Sequence, residues 1–240
     1  MAGHSQFKNI MHRKGAQDAK RAKLFAKLAR EVTVAAKSGL PDPKQNPRLR
    51  NAIINARHEN MPNDKINKAL QKANSNDESN NYEEIRYEGI GNNGISLIIE
   101  TLTDNRNRTA SEIRSILSKN GGNLGETNSV AYNFDHVGKI GFTSEGIDKE
   151  KFFDFSVDLG ASDVIADTDI IYTICQPEIF GSLRDQLEKK YGEPSVAKLI
   201  WQIKNSLVLD EGNAKKVVTI IEQLEENDDV QNVYSNVEIQ

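Results

Sequence analysis

Apolar residues recur at three- and four-residue spacing along residues 1–75, and this spacing predicts three amphipathic helices. The first covers 16–38, the second opens at Pro47 with Asn46 as N-cap, and the third spans about 66–73. Each helix is apolar on one side only. A small three-helix bundle is therefore expected.

A polar tract, SNDESNN at residues 75–81, follows the third helix and predicts a linker, because it offers nothing to bury. Beyond it the pattern changes to short strand-like runs that alternate with helical ones. The predicted elements are strands 84–90 and 95–103, helix 109–119, strands 129–134 and 139–143, helix 149–159, strands 163–166 and 170–175, helix 178–191, strand 196–203, helix 214–225 and strand 230–234.

This order predicts an α+β protein, with an N-terminal three-helix domain followed by two α/β-sandwich, ferredoxin-like domains. The elements of 204–240 are too few to stand alone and are suited to complete the sheet begun at Glu84. We therefore predict a basic helical domain over 1–78, a discontinuous α+β domain over 79–137 plus 204–240, and an inserted ferredoxin-like domain over 138–203.

Charge is divided unevenly along the chain. Residues 1–75 hold 16 Lys and Arg against 5 Asp and Glu, whereas the remainder holds 15 against 30, within a total net charge of −4. Such asymmetry is typical of a polyanion-binding part joined to an acidic part. No apolar run reaches the length of a membrane helix and no secretory signal follows the start, so we expect a cytoplasmic protein that contacts no membrane.

Motifs for chemistry are weak. Gly89–Gly94 matches the dinucleotide-binding spacing, but a strand-like run follows where a helix is required, so a hairpin turn is predicted. The four histidines lie far apart, and the single cysteine, Cys175, lies in an apolar run typical of a core. We expect no catalytic residue, no cofactor and no metal.

The predicted binding surface is the positive stripe of the first helix together with the basic segment before it. The segment 104–109, DNRNRT, joins a strand to a helix start and could present two arginines to an anion there. The alternative for this segment is a capping loop with solvated arginines. The candidate phosphate contacts are Lys8, His12, Arg13, Lys14, Lys20, Arg21, Lys23, Lys27, Arg30, Arg106 and Arg108.

A second alternative for the basic domain is a helix-turn-helix. The short turn at 59–62 separates the second and third helices. The residues that would then lie near a groove of the nucleic acid are Asn63, Lys65, Asn67 and Lys68. Simple helical bundles share this pattern.

Several motifs resemble one family closely: AGHSQFKNIMHRKGAQDAKRAKLFAKLAREV, NPRLRNAI, YEGIGNNG, TDNRNRT and GGNLGETNSVAYNF. They resemble the YebC/PmpR family, which includes mitochondrial translational activators. The resemblance implies a three-domain α+β protein without cofactor or catalysis, a transcriptional regulator that binds DNA, with some relatives acting on translation at the ribosome. Relatives commonly carry AGHSKW, whereas this chain has Gln6 and Phe7 and so lacks one positive charge and the indole donor at these positions.

Three functions stay open at this point. The first is a non-enzymatic, DNA-binding transcriptional regulator, with the transcription machinery as a partner. The second is a translation factor bound to ribosomal RNA or the ribosome, which the poverty of base-reading residues fits. The third is a protein-interaction adaptor whose acidic sheet domains bind basic partners. In this adaptor the helical domain docks on the acidic domains of the same chain.

Overall fold

Three helices precede two four-stranded sheets in the computed structural model, which describes residues 17–73 and 81–239. The α+β class with three N-terminal helices is confirmed. The helices are α1 Gln17–Lys37, α2 Pro47–His58, α3 Asn63–Ala73, α4 Arg106–Lys119, α5 Lys149–Asp158, α6 Phe180–Tyr191 and α7 Glu211–Glu225. The strands are β1 Glu83–Ile90, β2 Ser96–Thr103, β3 Asn123–Leu124, β4 Phe134–Thr143, β5 Asp163–Ala166, β6 Ile170–Cys175, β7 Val196–Ile203, β8 Leu207–Leu209, β9 Val230–Ser235 and β10 Val237–Ile239.

Asn46 fixes the corner between α1 and α2. Its side-chain oxygen accepts a hydrogen bond from the backbone N–H of Leu49 at 3.0 Å, which caps α2. Its amide group donates to the carbonyls of Ala35 at 2.7 Å and Leu40 at 2.9 Å. One buried side chain therefore starts α2 and satisfies carbonyls at the end of α1, as the sequence predicted for the cap.

The described chain divides into two units, and the division passes through α1. The first unit contains residues 17–27, 81–135 and 203–239, and the second contains residues 28–73 and 136–202. The predicted domain boundaries at 78, 137 and 203 stay a prediction.

The first unit is built on the sheet β3-β1-β2-β9. β1 and β2 form an antiparallel hairpin, joined by a turn in which Gly94 has a positive φ of 81°; the hairpin prediction for Gly89–Gly94 is confirmed. The core lies between this sheet and the helices α4 and α7, where Leu97, Ile113 and Val217 are fully buried.

The predicted strand at 129–134 is wrong. The segment forms a 3-10 turn, Ala131–Asn133, and β4 begins only at Phe134. The cause is the buried carboxylate of Glu88, which accepts hydrogen bonds from the backbone N–H groups of Asn128, Val130 and Ala131 at 2.8, 2.8 and 3.0 Å. Backbone donors that bind a side chain are not available for a strand ladder.

The second unit contains the β-α-β-β-α-β order of a ferredoxin-like fold. Its sheet has the order β5-β6-β4-β7, with β6 antiparallel to both β5 and β4. Helices α5 and α6 pack on one face, and their contacts bury Phe152, Leu183 and Leu187 against Ile140 and Phe142.

In the same unit, α2 is joined to α6 and β7 by polar contacts. Arg184 on α6 is fully buried and donates to the carbonyl of Pro47 and to the side chains of Asn51 and Asp185. The side chain of Asn55 exchanges two hydrogen bonds with the backbone of Ala197, at 3.1 and 3.3 Å. Helix α2 is therefore held to the ferredoxin-like elements of the second unit by specific polar contacts.

Candidate nucleic-acid interface

Helix α1 presents its cations to solvent at its beginning. Residues 20–30 contain five Lys and Arg and no Asp or Glu. Lys20, Arg21 and Lys23 are exposed, and Lys27 and Arg30 are partly exposed. The side of the helix away from the four other cations buries Phe25 and Val32, whereas Arg21 lies one turn before Phe25 on the same stripe.

Lys23 and Lys27 also contact the end of α7. The Lys23 ammonium donates to the carbonyl of Glu226 at 2.9 Å, and the Lys27 ammonium donates to the carbonyl of Glu225 at 2.8 Å. These carbonyls belong to the last turn and cap of α7, where the helix leaves acceptors without intrahelical partners. Two positive charges at a helix C-terminus stabilise it through the helix dipole.

Arg21 lies apart from these two lysines on the helix surface. Its guanidinium carbon is 5.3 Å from the centre of the Phe25 ring, a cation–π distance. This contact holds the stem of the side chain against the helix while the residue remains exposed.

The two arginines of the 104–109 loop differ in their surroundings. Asn105 caps α4 by accepting from the backbone N–H of Arg108 at 3.1 Å, and Arg106 is exposed in the first turn. Arg108 donates to the carboxylates of Asp104 at 2.8 Å and Asp229 at 2.6 Å. The hydrogen bonds that Arg108 donates to Asp229 and Asp104 raise its pKa. The loop thus caps α4 through Asn105, and of its two arginines Arg108 is bound to carboxylates.

Sequence reasoning missed Asp229, which organises this loop. Its carboxylate also accepts from the hydroxyls of Thr109 at 2.6 Å and Thr103 at 3.0 Å. Burial raises the pKa of Asp229, but hydrogen bonds from Arg108 and the two threonines outweigh burial and lower it. Asp229 stands more than a hundred positions away in sequence from all three, so no local pattern could indicate the pairing.

Four candidate contacts, Lys8, His12, Arg13 and Lys14, lie outside the described residues, as do Gln6 and Phe7. The interface that the structure describes is therefore the exposed start of α1 with the first turn of α4. The first turn of α4 and the part of α1 as far as Lys27 belong to the first unit, whereas Arg30 belongs to the second.

Within residues 17–73 and 81–239, no three His, Cys, Asp or Glu side chains are placed to hold a metal ion together. Cys175 is fully buried, and burial raises the pKa of its thiol to about 11. None of the helices in the described ranges combines the length and hydrophobicity that a membrane crossing needs.

Comparison with known proteins covers nearly the whole chain. A family model described as the TACO1/YebC protein N-terminal domain matches residues 5–76. A second model, Transcrip_reg, described as the TACO1/YebC second and third domain, matches residues 82–237. The chain is also similar to the crystal structure of a conserved hypothetical protein, Aq1575, from Aquifex aeolicus, at 37% identity and a TM-score of 0.80 over 96% of each chain. The resemblance drawn from the sequence motifs is confirmed, and the chain belongs to the TACO1/YebC family.

Proposed function

We propose that this protein is a non-enzymatic regulator of gene expression that binds nucleic acid through the start of α1. The carrying observation is the run of five cations without an acidic residue at 20–30, of which Lys20, Arg21 and Lys23 are exposed. The Transcrip_reg description of the matching family model supports a role in transcription. Phosphate neutralisation by such a run releases counterions, and this term dominates sequence-independent binding.

The contacts of Lys23 and Lys27 with α7 are compatible with this role. A lysine ammonium has three donors, and each of the two hydrogen bonds to a carbonyl uses one of them. From Lys20 to Lys27 the helix rises about 10 Å, and a duplex segment of that length carries about six phosphate charges. Anchoring on α7 would hold the lysines at a fixed spacing along the backbone.

Arg106 and Arg108 receive different roles in the proposal. Arg106 is exposed in the first turn of α4, where free backbone N–H groups also favour an anion. Arg108 is engaged by two carboxylates and holds the α4 cap to Asp229. We therefore assign Arg106 to the interface and treat Arg108 as a positioning residue. Lys8, His12, Arg13 and Lys14 extend the interface in the same proposal.

The sharpest test reverses two exposed charges without touching the α7 contacts. The full-length Lys20→Glu/Arg21→Glu variant is expected to bind nucleic acid at least about tenfold more weakly at low salt, with its melting temperature nearly unchanged. Reversal at Lys23 and Lys27 is less informative, because it would also place carboxylates on the last carbonyls of α7. The matched control, Lys215→Glu/Lys216→Glu on the exposed side of α7, should retain binding.

DNA and ribosomal RNA are distinguished by running the same variants on both. Promoter-fragment footprinting and ribosome co-sedimentation are the two assays, and loss in only one of them identifies the physiological polyanion. A transcription role predicts footprints that Lys20→Glu/Arg21→Glu abolishes; a translation role predicts loss of co-sedimentation. Either result fits a regulator that works in the cytoplasm.

A helix-turn-helix would instead depend on α3. Lys65 and Lys68 are exposed on that helix. If the Lys65→Glu/Lys68→Glu variant loses binding and Lys20→Glu/Arg21→Glu does not, the interface lies on α3 and the proposal for α1 is wrong.

The adaptor alternative is favoured by one observation, the docking of Lys23 and Lys27 on α7. In that case the cations of α1 bind the acidic part of the same chain rather than a nucleic acid. Full-length protein that binds neither a DNA duplex nor ribosomal RNA at low salt would support the adaptor over the regulator.

A further inference from the structure

A groove of about 420 Å³ lies along the outer edge of the ferredoxin-like sheet. Its apolar lining comes from Phe153 on α5, Val164 and Ala166 on β5, and Ile171 on β6. Three charged side chains of α5, the carboxylates of Glu150 and Asp154 and the ammonium of Lys149, also line it. The groove takes no part in the interface proposed for α1.

The apolar side chains of α5 are not all used in the core. Phe152 and Ser156 are fully buried on the inner side of α5. The residues that follow them, Phe153 and Val157, lie about 100° further around the helix. Phe153 is 49% exposed and Val157 is 45% exposed, four positions apart on the same outer stripe. Leaving two large apolar residues beside a groove is unfavourable in water unless a partner covers them.

The surroundings of the groove are acidic. Residues 145–169 hold eight Asp and Glu against two Lys. On α5 the carboxylates of Glu150, Asp154 and Asp158 follow each other at four-residue spacing and are exposed. One of the two lysines, Lys151, is already paired with Asp148 at 2.9 Å. A partner that enters this field is favoured when it is cationic.

Strand β5 offers backbone groups to the same partner. It is the outermost strand of the order β5-β6-β4-β7, and among the described residues β6 is the strand it pairs with. An edge strand next to an apolar groove is the arrangement in which an extended peptide adds a strand and inserts alternate side chains.

We infer that the groove between α5 and β5 binds a basic polypeptide segment in which apolar residues alternate with Lys or Arg. The apolar side chains enter the groove against Phe153 and Val164, and the cations, which face the other side of the added strand, are attracted by the acidic surroundings of residues 145–169. The inference is independent of nucleic-acid binding by α1, and it gives the adaptor alternative a specific partner class.

The test uses the full-length protein and three synthetic peptides of equal length. The first alternates Lys with Leu, the second replaces each Leu by Ser, and the third replaces each Lys by Glu. Calorimetry is expected to give binding for the first peptide only. NMR shifts that the first peptide causes should concentrate on α5 and β5. Phe153→Ser should weaken that binding about tenfold or more, because a buried aromatic anchor is lost.

The matched control is Leu40→Ser, which removes another exposed apolar side chain, 56% exposed, in the loop after α1. It should bind the first peptide as the native protein does, and Lys20→Glu/Arg21→Glu should too. Equal binding of the Leu and Ser peptides, no effect of Phe153→Ser, or shifts outside α5 and β5 would each overturn the inference. Retained nucleic-acid binding by Phe153→Ser keeps the two proposals separable.

Discussion

The guanidinium of Arg108 donates to the carboxylate of Asp229 across 2.6 Å, although the two residues are 121 positions apart in sequence. Asp229 is nearly buried, whereas Arg108 is partly exposed. Because Asp229 also binds Thr103 and Thr109, this carboxylate ties the end of β2 and the start of α4 to the segment before β9. Two segments that are distant in sequence are thereby joined at the Asp229 carboxylate.

Asp229→Asn is expected to lower the free energy of unfolding by about 1–3 kcal/mol at neutral pH, because a charged acceptor of three hydrogen bonds is replaced by a neutral one. The hydrogen bonds from Arg108 and the threonines, which outweigh burial, lower the pKa of Asp229 in the folded state. Its contribution is therefore present above the unfolded pKa and is lost as the pH falls through the folded pKa.

Urea unfolding of the native protein and Asp229→Asn across acidic and neutral pH measures this effect. The difference in stability between the two should shrink as the solution becomes more acidic. A difference that does not change with pH would show that the charge of Asp229 is unimportant. Glu112→Gln, an exposed carboxylate that accepts from Asn227 at 2.6 Å, is the control and should change stability little.

Much of the fold could be predicted from periodicity alone. Strands β5, β6 and β7 were predicted residue for residue, because each is a short apolar run bounded by polar or turn-forming residues. The segment at 129–134 was not, since its backbone bonds go to Glu88, which is 40 or more positions away. Local pattern indicates local structure, and it does not report a buried side chain that captures backbone donors.

The positive charge of the candidate site could be predicted from the sequence, but most of its side-chain contacts could not. The cation run at 20–30 is visible in the sequence, which also offers a helix cap as one alternative for the loop 104–109 without identifying Asn105 as the capping residue. The contacts of Lys23 and Lys27 with α7 could not be predicted, because nothing in the sequence of a helix end shows which distant side chains will bind its carbonyls. The same reason hides Arg184, since a fully buried arginine departs from the usual exposure of charged residues.

Arg184→Ala should be strongly destabilising. The side chain is fully buried, and its removal leaves the carbonyl of Pro47 and the side chain of Asn51 without their donor. We expect a loss of about 3 kcal/mol or more in chemical unfolding. Arg184→Lys should rescue little, because the ammonium cannot reproduce the planar set of donors.

Arg57→Ala is the control for that prediction. Arg57 pairs with Glu193 at 3.3 Å, but both side chains are more than half exposed. The expected loss is below about 1 kcal/mol. Similar losses for Arg57→Ala and Arg184→Ala would contradict the special role of the buried arginine.

The Cys175 thiol should be unreactive in the folded protein. Burial raises its pKa to about 11, so at neutral pH almost none of it is thiolate, and the side chain is inaccessible. Labelling with a thiol reagent should be slow in native buffer and rapid in urea. Rapid labelling of the native protein would indicate that β6 opens locally.

Salt dependence measures how many cations of the interface meet phosphates. If about six contacts form on duplex DNA, the logarithm of the binding constant should fall against the logarithm of the salt concentration with a slope of about −5. Binding that does not respond to salt would contradict a backbone interface.

Neutral variants then assign the slope to residues. Lys20→Gln/Arg21→Gln should reduce its magnitude by about 2, because each lost phosphate contact removes about 0.9. Lys215→Gln/Lys216→Gln carries the same change of charge on the exposed side of α7 and should leave the slope unaltered. If both pairs change the slope equally, the protein responds to total charge rather than to contacts of α1, and the cations at 20–30 have no special place in binding.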